Sequence, residues 1–247
     1  MSELRVNGLR RAFGGVRAVD EVSFALTRGS VTALIGPNGA GKSTLFNLID
    51  GQWAPDAGTI EFEGRSLVGV PTAARALAGI GRTFQVAQTF ASMTVLQNAQ
   101  FALVVQTRAA TSIGRPLDAR ARTEARELLA QVGLAERGEE PAAALAYGDL
   151  KRLELVLALA AAPRLLLMDE PTAGMAPGER AALMALVVAL ARQQGMTVLF
   201  TEHSMDVVFG SAERVLVMSR GRLIADGAPD EVRSDRAVQA VYLGPEA

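Results

Sequence analysis

The sequence predicts an α/β fold with a mainly parallel sheet, an N-terminal antiparallel β region and an inserted α-helical segment. Three observations carry this. An apolar run, Val31–Ile35, leads into the glycine-rich stretch Gly36-Pro37-Asn38-Gly39-Ala40-Gly41-Lys42-Ser43-Thr44 and then into an apolar helical pattern, Leu45–Ile49. A second apolar run, Arg164–Met168, suits a parallel strand covered on both faces. Strands and helices alternate at both ends of the chain, whereas the middle carries helical periodicity alone.

In chain order, Leu4–Leu9, Val22–Leu26 and Val31–Ile35 read as strands. Gly58–Glu63 follows as a hairpin arm, because Thr59-Ile60-Glu61-Phe62-Glu63 alternates with period two. Pro71–Ala78 reads as a short helix with Pro in its first turn. Ile80–Phe84 is a strand ending at Gln85. Thr94–Gln106 and Leu117–Val132 have apolar residues at helical spacing, separated by the loop Ser112-Ile113-Gly114-Arg115-Pro116. Asp149–Ala162 is a third helix, stopped by Pro163. The core then resumes with a helix over Pro177–Gln193, a strand over Thr197–Phe200 and a short helix over Ser204–Gly210. Val215–Met218 and Leu223–Asp226 flank a hairpin turn. Asp230–Leu243 is a packing helix or a further contact surface. The expected organisation is one domain over 1–247, with the α/β core and β region in 1–86 and 163–247 and the helical insertion in 87–162.

Composition narrows the classes. Apolar content of 49% with 21% charge supports a packed core rather than disorder. A net charge of −1 makes no electrostatic case for nucleic acid as a partner. Arg10-Arg11 and Arg120, Arg122 and Arg126 read as solvated faces. There is no cysteine, which excludes disulfides and thiolate sites. The longest apolar run, Ala181–Ala191, is eleven residues, against the roughly 20 a membrane span needs. The start of the chain lacks a charged-then-apolar signal pattern. The expectation is a soluble cytoplasmic protein that reaches a membrane only through a partner.

The chemistry begins at the glycine-rich stretch. A strand that feeds such a turn and opens a helix is a phosphate-binding loop in its required context, the mark of a P-loop NTPase core. Glycines let backbone N–H groups turn inward around an anionic oxygen. Lys42 supplies a point charge for β- and γ-phosphates, and Ser43 can place a hydroxyl on Mg²⁺. Asp169-Glu170-Pro171 ends the apolar strand at the sheet edge where ligands sit in open α/β folds. Asp169 then faces the Mg²⁺ region, directly or through a water, and Glu170 can orient and deprotonate the attacking water. The bland reading is that both merely cap the following turn. His203, the single histidine, ends another apolar strand at the same edge. There it can bond the γ-phosphate or position water.

Together these pieces resemble the nucleotide-binding subunit of ATP-binding cassette transporters, over essentially the whole chain. Leu145-Ala146-Tyr147-Gly148-Asp149 stands at that family's signature, Gln85 at its Q-loop, His203 at its switch histidine and Phe13 at its adenine-stacking ring. From the residues alone Phe13 reads equally as a core ring. The resemblance implies ATP and Mg²⁺, with Glu170, His203 and Gln85 catalytic and Ser43, Gln85 and Asp169 around the metal. It also implies that Leu145–Asp149, at a helix start that favours anions, meets the γ-phosphate held by a second cassette. Two head-to-tail cassettes, as a homo- or heterodimer, then close on ATP and move membrane permease subunits, with a substrate-binding protein as an indirect partner. The cassette lies on the inner face of the cell membrane. Gln85 would couple nucleotide state to the permease through a groove lined by residues between about 86 and 97.

Within the family the chain looks most like the larger ATPase of branched-chain amino acid importers. This rests on Phe13-Gly14-Gly15, Gly79-Ile80-Gly81-Arg82-Thr83-Phe84-Gln85, Leu145-Ala146-Tyr147-Gly148 and the ending Val241-Tyr242-Leu243-Gly244. Urea or amide importers and the lipopolysaccharide-export ATPase are the near alternatives. Three positions depart from the family: Ala146 replaces the signature Ser, Asp149 the usual Gln, and Ala176 an aspartate often found in the D-loop. A non-hydrolytic regulatory cassette would follow from the last two, but Lys42, Asp169, Glu170 and His203 speak against it. A small-molecule kinase needs only the phosphate loop; Glu170, His203 and the signature position water rather than a hydroxyl acceptor.

Overall fold

The computed structural model describes residues 2–83, 89–106 and 119–243. Two sheets form its frame. The first is antiparallel, in the order β2-β1-β4-β5, from β1 (Ser2–Phe13), β2 (Val16–Thr27), β4 (Ala57–Phe62) and β5 (Arg65–Ser66). The second is six-stranded, in the order β10-β9-β3-β8-β7-β6. It comprises β3 (Val31–Ile35), β6 (Ile80–Thr83), β7 (Leu165–Asp169), β8 (Thr197–Thr201), β9 (Arg214–Ser219) and β10 (Arg222–Gly227). Strands β9, β3, β8, β7 and β6 run parallel, and β10 pairs antiparallel to β9 at the edge. The α/β class with its N-terminal antiparallel part is thus the one the sequence predicts.

Side-chain alternation splits the core across the parallel sheet. Ala33, Ile35, Leu166, Met168, Val198 and Phe200 point to one face. Leu34, Leu165, Leu167, Leu199 and Leu216 point to the other. Because both faces are covered, every residue of β3 and β8 is buried, which is why these strands read as unbroken apolar runs. On the second face α1 (Lys42–Asp50) is sandwiched between the sheets: Leu45, Phe46, Leu48 and Ile49 pack with Leu4, Val6 and Leu9 of β1. Arg75, on α2 (Thr72–Leu77), is 2% exposed and donates to the Leu48 and Ile49 carbonyls at 2.8 Å, satisfying the open C-terminal turn of α1. Burial lowers its pKa.

The other face carries α3 (Val95–Gln106), α4 (Ala119–Gln131), α5 (Tyr147–Leu159), α6 (Pro177–Gln194), α7 (Met205–Ser211), α8 (Pro229–Ser234) and α9 (Arg236–Leu243). Several predicted boundaries move. Helix α5 begins at Tyr147, with Ala146 as N-cap, two residues before the predicted start at Asp149, so Gly148 lies inside the first turn. The helix ends at Leu159, and Ala162 has φ +44°, so the chain has left the helix before Pro163 stops it. Pro71 is the N-cap of α2, not its first helical residue. Residues 230–243 form parts of two helices, broken at Asp235 in extended conformation, instead of one. Gln85 and the 112–116 loop lie outside the described residues.

Candidate nucleotide site

Gly36–Gly41 links β3 to α1 and, with the first residues of that helix, forms a tight cradle. Gly41, with φ +104°, is the N-cap of α1. A Cβ there would lie 2.1 Å from the Ala18 carbonyl oxygen, and one at Gly36 2.2 Å from that of Met218. Both positions need glycine for space as well as conformation. The Ala40 carbonyl accepts from the Gly221 N–H at 3.0 Å, so the β9–β10 turn buttresses the loop from behind. That turn is Arg220-Gly221, both at positive φ, as a two-residue hairpin requires.

Lys42 curls back into the cradle. Its Nζ donates to the carbonyls of Gly36 at 2.7 Å and Pro37 at 3.1 Å, and the residue is 7% exposed. Burial lowers its pKa; the charges of Glu170 and Asp169 act in the opposite direction. The ammonium thus rests on two backbone carbonyls within the field of two carboxylates.

The ends of β7 and β8 lie beside it, since Asp169 pairs with Thr201 in register. Asp169 Oδ1 accepts from the Thr201 hydroxyl at 2.7 Å, and its Oδ2 lies 3.5 Å from the Arg82 guanidinium. Arg82 also binds Asp50 and donates to Asn47 at 2.7 Å, fastening β6 to α1. Glu170 follows with φ +49°, unusual for a side chain other than glycine or asparagine. Its N–H is held by the Thr201 hydroxyl at 3.0 Å, which stabilises the turn. Its Oε1 lies 2.7 Å from His203 Nε2. Thus Asp169, Glu170 and His203 meet at one sheet edge. Capping alone does not describe Glu170, whose carboxylate reaches across to the histidine.

Sequence reasoning missed two supports of this edge. Glu202 is 4% exposed; it accepts from the Thr172 N–H at 3.0 Å and from the His203 N–H at 3.0 Å. One buried carboxylate thereby ties the segment after Glu170 to the loop carrying His203. Arg82 is the other. The one local sign was a charged residue near or just past the carboxyl end of each strand, where apolar patterning breaks, and it does not reveal the distant partner.

Phe13 lies apart from these groups. It is 39% exposed, so the core-ring reading fails. Its ring meets Trp53 edge-on at 4.8 Å, and the Arg11 guanidinium sits 4.8 Å from its centroid. Arg11 is held by Asp56 at 2.8 Å. Leu145–Asp149 is also separate, beside the N-terminal turn of α6. A cleft there is lined by Ala146, Gly148, Asp149, Arg152, Met175 and Glu179 among others, and by no residue of the phosphate loop. Asp149, the charge that departs from the signature, is paired with Arg137. At Ala176, the N-cap of α6, the N–H donates to Glu179 Oε2 at 3.1 Å, so this helix start is closed without an aspartate.

The donor chemistry suits a triphosphate and a hard divalent cation. Among the described residues no group of three or more His, Cys, Asp or Glu could hold a metal ion alone. Ser43 and Asp169 offer oxygen donors only, so a cation here needs phosphate oxygens and waters to complete its shell, as Mg²⁺ does.

A strand-borne phosphate loop, an acidic pair and a histidine at one sheet edge define a nucleotide-hydrolysing P-loop protein. The family model "ABC transporter" matches residues 19–173, and the chain belongs to that family of ATPases. A second model, "Branched-chain amino acid ATP-binding cassette transporter", matches residues 222–244. The high-affinity branched-chain amino acid transport ATP-binding protein LivG of Salmonella typhimurium is 39% identical over 248 residues, spanning 98% of this chain and 97% of that protein. The lipopolysaccharide export system ATP-binding protein LptB of Escherichia coli is 34% identical, spanning 100% and 99%. The solved ADP conformation of MJ1267, an ATP-binding cassette of an ABC transporter, superposes with a TM-score of 0.89 at 32% identity, covering 99% of each chain.

Proposed function

We propose that this chain is the ATP-hydrolysing subunit of an ABC importer for branched-chain or related amino acids. The observation that carries the cargo class is the match of residues 222–244 to a branched-chain amino acid cassette model, joined to full-length likeness to LivG. LptB is a weaker match, which keeps lipopolysaccharide export as the second reading.

In this reading Gly36–Thr44 holds the phosphates, with Lys42 turning from its own carbonyls to the β- and γ-oxygens. Phe13 stacks on the base. Ser43 and Asp169, with Gln85, would hold Mg²⁺, which supplies charge neutralisation across the phosphates. Glu170 takes the proton of the attacking water, and His203, already 2.7 Å from it, orients that water or bonds the γ-phosphate. Leu145–Asp149 faces the nucleotide of a second cassette, like or unlike this one. The pair rides on permease subunits at the inner membrane face, served indirectly by a substrate-binding protein. Among the described residues no helix is long and apolar enough to cross a membrane, which agrees with attachment through a permease.

The test is reconstitution in liposomes with permease subunits of a branched-chain amino acid importer. ATP-dependent uptake of leucine, isoleucine or valine, lost in Glu170→Gln, is the expected result. Hydrolysis without any amino acid uptake would overturn the cargo class while leaving the ATPase intact.

A further inference from the structure

Tyr147 is 46% exposed, yet its ring is held from several directions. The hydroxyl donates to the Ala173 carbonyl at 3.0 Å. The ring covers Gly174, where a Cβ would lie 3.3 Å from Cε1 and 3.4 Å from the hydroxyl oxygen, and where φ is +79°. The Lys151 ammonium, itself 3.0 Å from Glu154, lies 5.6 Å from the ring centroid. On its other side, Ala173 donates its N–H to the Glu170 carbonyl at 3.1 Å. Glu170 in turn meets His203 at 2.7 Å. A short run of bonds therefore leads from the first residue of α5 to the acidic edge of the parallel sheet.

We propose that Tyr147 is a positioning residue: its phenol fixes the turn that carries Glu170, so that closure of a partner's nucleotide on Leu145–Asp149 sets the Glu170–His203 pair of the same chain. The inference rests on the paired-cassette reading above. Two neighbouring positions make a tyrosine useful here. Ala146 and Ala176 have no polar side chain, so neither can bond the facing segment, whereas the Tyr147 hydroxyl spans the gap. Gly174 leaves the space the ring occupies.

Tyr147→Phe keeps the ring and removes one hydrogen bond. A bond of this kind is worth about 1 kcal/mol, so kcat should fall about fivefold. KM should hold, ATP-driven dimerisation in a Glu170→Gln background should persist, and the Hill coefficient should drop toward one. Gly174→Ala crowds the ring by a few tenths of an ångström and strains the turn at φ +79°, so its loss should equal or exceed that of Tyr147→Phe, and the double variant should lose less than the sum of the two. Unchanged kcat and Hill coefficient in Tyr147→Phe, a rise in KM with kcat held, or additive losses in the double variant would each overturn the proposal. A Glu170→Gln chain that stays monomeric with ATP would instead overturn the paired reading beneath it.

Discussion

The half of the molecule around the phosphate loop and the half around the signature differ in how much each chain completes for itself. Around the loop, charged groups already have partners: Lys42 on the Gly36 and Pro37 carbonyls, Asp169 on Thr201, Glu170 on His203, and Glu202 on the backbone that flanks both. Around the signature, Ala146 offers no polar side chain, Tyr147 is 46% exposed, and the Asp149 charge is drawn aside by Arg137. One half is preorganised; the other presents a surface. In the paired-cassette reading proposed above, fixed dipoles serve one side of the triphosphate and an open helix start serves the other.

The contrast can be broken most sharply on the preorganised side. Glu170→Gln should lower ATP turnover by about 10² to 10⁴ while ATP stays bound, because the proton acceptor goes and the cradle remains. Phosphate release and filter binding measure the two separately. Gly41→Ala should damage the cradle itself: the added Cβ meets the Ala18 carbonyl at 2.1 Å, and φ is +104°. A destabilisation of about 1–3 kcal/mol by thermal or urea unfolding is expected, with nucleotide affinity lost alongside. On the stacking role proposed for Phe13, Phe13→Ala removes a face worth about 1–3 kcal/mol, so the KM for ATP should rise by about five- to a hundredfold with kcat held.

On the open side the effects should be smaller. Asp149→Asn removes a charge that Arg137 already offsets, so turnover should change by less than about twofold. The smallest effect concerns pH. Tyr242 is 41% exposed, and the partial burial of its ring pushes the phenol from 10.0 up to about 12, against a hydrogen bond from the Gly36 backbone that lowers it. Between those values the unfolded chain has lost this proton and the native chain has kept it, so stability falls as pH rises. Tyr242→Phe should flatten that alkaline arm, visible in denaturation midpoints measured from pH 9 to about 12.

How far the sequence could be read depended on whether a feature was local. The bounds of β3 were legible to the residue, because a buried parallel strand is apolar throughout and glycine ends it. The β9–β10 hairpin was equally plain, since its turn residues lie between two short apolar runs. The end of α5 was not: Ala160-Ala161-Ala162 is good helix material, Ala160 still has helical dihedrals, and the positive φ of Ala162 is what marks the chain as having left the helix. Among the site groups, the loop, the acidic pair and the histidine announced themselves at strand ends. Arg82, Thr201 and Glu202 did not, because each acts on residues distant in sequence, which a one-dimensional pattern does not bring together. Phe13 was ambiguous for a related reason: an aromatic at a strand end is buried or exposed according to its neighbours, here Trp53 and Arg11.

The contact from Gly221 to Ala40 has a temporal consequence. Strand β3, which delivers the cradle, is paired on one side by β8 and on the other by β9, both from the last third of the polypeptide. During synthesis the ribosome therefore releases the nucleotide-gripping turn long before the strands and hairpin that brace it. Nascent chains arrested ahead of Gly221 should be unable to retain ATP, and competence should arrive late and abruptly as the final hairpin emerges.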